Sequence, residues 1–148
     1  MSRIYSKQFH EVTIAKICKG GGNRGMDIFK AARLGDLSAL AACMQQGESI
    51  NAQDAKGMTP LMWAVDMGQV QVVKYLVDAR ANLNLVDQYG QTALILAAGR
   101  NDVASLQILI NAKADLNVKM VTGITALTLA LENKRNEAAA LLKKAGAK

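Results

Sequence analysis

Few residues of this chain could do chemistry, and they do not converge. Nucleophilic or general-base catalysis needs titratable side chains brought together. The one histidine of the 148 residues, His10, stands near the start, and no nucleophile–base pair or metal cluster can be assembled by spacing. The Lys19-Gly20-Gly21-Gly22 stretch is glycine-rich, but it lacks the Gly-Lys-Ser/Thr ending and the preceding strand of a phosphate-binding loop. Cys18 and Cys43 are too few and too far apart for a disulfide framework or a zinc site, and they fit a reducing, cytoplasmic setting. No enzyme activity, cofactor or metal is expected.

The elements that could position a site are repeated. Gly57, Gly90 and Gly123 recur at a step of 33 residues, as do Thr59, Thr92 and Thr125, Leu61, Leu94 and Leu127, Ala64, Ala97 and Ala130, and Asn51, Asn84 and Asn117. A chain with this period stacks helix pairs into a solenoid, because no single unit can bury its apolar face alone. Thr59 followed by Pro60 predicts a helix start, and a short helix runs to about Met67. Val70, Val73, Leu76 and Val77 then fall on one face of a second helix.

The next unit repeats this layout with Ala97 and Ala98 in the first helix and Val103, Leu106, Leu109 and Ile110 in the second, behind an Asp102 cap. In front, Asp27, Ala31, Ala32 and Gly35 match the first helix, and Leu37, Leu40 and Cys43 the second, behind an Asp36 cap. Cys43 stands where later units have Leu76 and Leu109, so it reads as a buried apolar residue. At the back, the Asn136, Ala139 and Leu142 face is less apolar, and Arg135, Lys143 and Lys144 solvate the last helix.

Gly47 and Gly146 follow the outer helices of the first and fourth units, where a left-handed residue commonly ends a helix. Arg80 and Lys113 hold the equivalent places. If the middle units turn alike, each carries strain on the order of 1 kcal/mol.

The formal charge is +6, but residues 1–25 hold five basic residues against Glu11 alone. The remaining 13 basic and 11 acidic residues leave the repeats nearly neutral. No apolar run is long enough to span a membrane, and Lys7, His10, Glu11 and Lys16 interrupt any secretory apolar core.

Residues 26–148 resemble the ankyrin repeat family, through the Gly-x-Thr-Pro/Ala-Leu motif, the following Ala pairs, and the Ala-Asn/Asp-Leu-Asn runs ending at Asn84 and Asn117. The resemblance implies an all-α solenoid of four units, 26–53, 54–86, 87–119 and 120–148. Each would join a β-turn finger to two antiparallel helices, with fingers and inner helices lining a concave recognition surface. Met62, Ile95 and Thr128 replace the family's usual histidine after the Thr-Pro-Leu segment. In the family's layout Trp63 packs between units. The family's variable contact positions fall on Ala55, Lys56, Met58, Asp66 and Met67, on Gln88, Tyr89, Gln91 and Arg100, and on Val121, Thr122 and Ile124. Met58, Met67, Tyr89, Val121 and Ile124 are therefore expected to be exposed, with Arg100 beside Tyr89. Met, Tyr and Arg are types enriched in interface cores.

The expected function is a monomeric, non-catalytic adaptor that binds a protein partner through the concave face. The alternative is a nucleic-acid or acidic-surface binder using the basic segment 1–25. That segment has three readings: a basic arm, an element added to the first repeat, or a stretch outside the native chain. Met26 opens the first repeat, and Gly21-Gly22 can be encoded by the core of a bacterial ribosome-binding sequence nine nucleotides before its codon.

Overall fold

Helices of seven to ten residues are marginal in isolation, so packing of neighbouring units must hold them in place. The computed structural model describes residues 26–148. Among these residues it contains eight helices and no strand: α1 (Ile28–Leu34), α2 (Leu37–Gln45), α3 (Pro60–Asp66), α4 (Val70–Asp78), α5 (Ala93–Arg100), α6 (Val103–Asn111), α7 (Ala126–Glu132) and α8 (Asn136–Ala145). They form four pairs. The odd-numbered inner helices stack in one row and the even-numbered outer helices in another, and each inner helix also packs on its own outer partner. One core runs through the stack, from Ile28, Leu40 and Cys43 through Leu61, Val73 and Leu76 to Leu94, Leu106, Leu109 and Leu142.

The repeated residues have defined tasks. Thr59, Thr92 and Thr125 cap the inner helices, their hydroxyls accepting from the N–H groups of Met62, Ile95 and Thr128. The asparagine series is a ladder between units: the side-chain oxygens of Asn51, Asn84 and Asn117 accept from the N–H groups of Asn82, Asp115 and Lys148 at 2.8–3.0 Å. Neighbouring fingers also bond, Gln88 N–H to the Lys56 carbonyl and Val121 N–H to the Tyr89 carbonyl. Glycine is required at Gly57 and Gly90. Both have positive φ, and an added Cβ would lie 3.0 Å from Asp87 Cα and 2.9 Å from Val121 N.

The outer helices begin in two alternating ways. Asp36 and Asp102 cap α2 and α6 with their own carboxylates. At the same place before α4 and α8, Gln69 and Arg135 make no such cap. Their longer side chains donate instead to the Arg33 and Gly99 carbonyls of the preceding unit. The first and third units thus gain satisfied helix C-termini from the second and fourth.

Several expectations hold and some shift. Cys43 is fully buried, Asp36 and Asp102 are caps, and Arg80 and Lys113 are left-handed with φ 68° and 67°. Asn101 and Lys134, at the ends of inner helices, share that conformation. Helix α3 stops at Asp66 with Met67 as its C-cap, and Val72, not Val70 or Val77, shares full burial with Val73 and Leu76. Asp27 lies outside α1 as its N-cap. Met62 and Ile95 are buried in the core, while Thr128 is exposed and its hydroxyl lies 3.1 Å from that of Thr125.

Candidate protein-interaction face

Each finger is shaped by its own polar residues, and the first is tied to inner helix α3 by the bond from the Trp63 indole to Asp54. Asp54 opens the first finger. Its Oδ1 accepts from the N–H groups of Lys56 and Met58, and its backbone N–H donates to the Met58 carbonyl. Asp87 repeats this, Oδ1 taking the N–H groups of Tyr89 and Gln91 and Oδ2 the Gln91 side-chain amide. Met120 occupies the third equivalent place and closes its turn by backbone bonds with Ile124 and Gly123.

This geometry exposes most of the expected contact residues. Ala55, Lys56, Met67, Gln88, Tyr89, Arg100, Val121 and Thr122 are exposed, with Tyr89 53% and Val121 73% open to solvent. Asp66, Gln91 and Ile124 are half-buried. Met58 is corrected: it is only 7% exposed and belongs to the core, because the bonds to Asp54 close the finger just before the Thr59 cap. Arg100 bonds to the neighbouring inner helix. Its Nη1 donates to Asp66 Oδ1 at 3.0 Å, one inner helix back.

Trp63 is half-buried, and it both packs on the core and opens onto the surface. Its indole N–H donates to Asp54 Oδ2 at 2.8 Å, and the Arg33 guanidinium lies 4.8 Å above the ring centroid. Around it is a cavity of about 510 Å³ between the first two units. Asp27, Phe29, Lys30, Arg33 and Leu34 form one wall, and Asp54, Trp63 and Met67 the other. Partial burial works against the charge of Asp54. The bonds from Trp63, Met58 and Lys56 and the nearby Lys56 ammonium outweigh it, and hold the carboxyl below its usual range.

Met67 alone of these lining residues was expected in a contact role. The period itself carries the signal for others: Lys30, Arg33 and Leu34 stand 33 positions before Trp63, Asp66 and Met67. They escape notice when the first unit is read only as a cap. The basic segment behind the nucleic-acid alternative lies outside the described residues. Among the described residues no helix is long and apolar enough to cross a membrane.

Comparison with known proteins agrees with this architecture. The family model "Ankyrin repeats (3 copies)" matches residues 28–120 and 79–148. The chain is 44% identical over 50 residues to acyl-CoA-binding domain-containing protein 1 of Arabidopsis thaliana, which covers 34% of this chain and 15% of that protein. It is 31% identical over 78 residues to protein VAPYRIN-LIKE of Medicago truncatula, covering 47% of this chain and 17% of that one. It is 37% identical over 57 residues to human ankyrin repeat family A protein 2, covering 38% and 18%. The matched stretches thus span less than a fifth of each of these relatives.

Proposed function

The chain belongs to the ankyrin repeat family, whose repeats are generally protein–protein interaction modules, and on that premise we propose that it is a non-catalytic adaptor. Its partner is a protein, bound on the finger and inner-helix face. The observation that carries this reading is the set of large apolar side chains left open there, Leu34, Met67, Tyr89 and Val121, beside a cavity large enough for side chains of a partner. Exposed apolar groups gathered on one side, with arginine among them, are what an interface core requires. The adaptor acts in the cytoplasm as a monomer. Affinity capture from its own cells, with the unaltered chain and with a Tyr89→Ala, Val121→Asp double variant, tests the reading. One partner protein retained at high salt by the first and lost by the second is the expected result. Equal retention by both removes the face from the account.

A further inference from the structure

The geometry points to an acid-receiving subsite: the cavity between α1 and α3 takes an Asp or Glu side chain of a protein partner together with a large apolar side chain close to it in sequence. This rests on the interaction-module reading above and names what that partner presents.

Two cations line the cavity, Lys30 and Arg33, and among the described residues neither has a carboxylate within salt-bridge distance. The two carboxylates there already have partners. Asp27 Oδ1 accepts the Lys30 N–H as the cap of α1. Asp54 accepts two backbone N–H groups on Oδ1 and the Trp63 indole on Oδ2. One unit on from Arg33, in the same register, stands Asp66, and its carboxylate is turned forward to Arg100. Bonds from neutral N–H groups leave both carboxylates charged, so the lining is balanced overall, and what the cavity has left to offer is unused donor capacity on the Lys30 ammonium and the Arg33 guanidinium.

Arg33 is also prepared for the task. Its guanidinium carbon lies over the Trp63 ring, 4.8 Å from the centroid, a cation–π contact that holds the group at the cavity while using none of its N–H donors. A planar fork held in this way matches the two oxygens of a carboxylate. The wall beside it is apolar and open: Leu34 is 59% and Met67 48% exposed, with Phe29 between core and cavity. A lone carboxylate would leave that surface wet. An acid with a Leu, Met or aromatic neighbour would cover it while the charge reaches Arg33.

The test uses random dodecapeptides displayed and selected on the full chain, and then fluorescein-labelled copies of the selected peptides titrated by fluorescence anisotropy. The expected peptides carry Asp or Glu close to a large apolar residue. Changing that acid to its amide should weaken binding about tenfold, and Arg33→Gln should weaken it by a similar factor. The two changes together should cost little more than either alone. Arg33→Lys should be intermediate, and Lys30→Gln should weaken binding without touching Trp63. Peptides without acid enrichment, or losses that simply multiply, overturn the proposal. So does competition by single-stranded DNA that outdoes the acidic peptide at equal charge. Peptides weakened by Tyr89→Ala but not by Arg33→Gln would overturn this subsite and leave the interaction face standing, whereas insensitivity to both would remove both.

Discussion

Arg100 reaches back across one repeat to Asp66, its Nη1 donating to Oδ1 at 3.0 Å, and ties inner helix α5 to α3 on the open side of the stack. The pair is solvent-accessible, so it adds less than about 1 kcal/mol to stability. What it supplies is orientation of the arginine on the face proposed for a partner. Arg100→Ala and Tyr89→Ala should each cost about 1–3 kcal/mol of partner binding with little change in the unfolding midpoint. Isothermal titration beside urea denaturation checks both, and unchanged affinity in the two variants would contradict the assignment of these residues.

Arg80 and Lys113 end outer helices in the left-handed region, where Gly47 and Gly146 serve the first and last units. Replacing each by glycine should relieve strain of about 1 kcal/mol, partly offset by the greater freedom of glycine in the unfolded chain. Thermal denaturation of Arg80→Gly and Lys113→Gly should therefore show midpoints raised by up to a few degrees. A neutral or lowered midpoint in both would mean that their side chains make compensating contacts.

The finger glycines should not respond alike. Gly57→Ala and Gly90→Ala combine a left-handed backbone with a Cβ pressed against the next finger, and should each lose about 2–4 kcal/mol. Gly123 has φ 84° but nothing within 4 Å of an added Cβ. Its alanine variant should lose only about 1 kcal/mol. Equal losses in urea denaturation at all three positions would show that finger stacking is not what selects glycine.

How far these tasks could be read from the chain depends on whether the period exposes them. The Thr caps, the Gly fingers and the left-handed Arg80 and Lys113 were legible because identical or equivalent residues stand at a fixed step. Gln69 and Arg135 were not, since their partners lie in another unit, 36 positions away, and long side chains give no local signal. The contact of Arg33 with Trp63 was hidden for the same reason, joining the first unit, which has no finger, to the second. Met58 misled because exposure at that position depends on how Asp54 closes the turn, and the spacing does not report it.

Asp54 makes the first finger sensitive to acid. Its carboxyl titrates below the ordinary value of 3.8, so its contribution is complete above that value and is lost as pH falls through the lower folded-state value. Asp54→Asn should lose about 1 kcal/mol at neutral pH, and the difference from the unaltered chain should shrink below about pH 4. Urea midpoints along a pH series check this. A difference that stays constant into acid would assign the loss to packing around Trp63.

The most direct test of the interaction face is site-specific photo-crosslinking in the protein's own cells, with a photoreactive residue placed at Tyr89 on a finger or at Gln71 on outer helix α4, both exposed. The account predicts a crosslinked partner protein from position 89 and none from position 71. The same partner captured equally from both, or from position 71 alone, would contradict it.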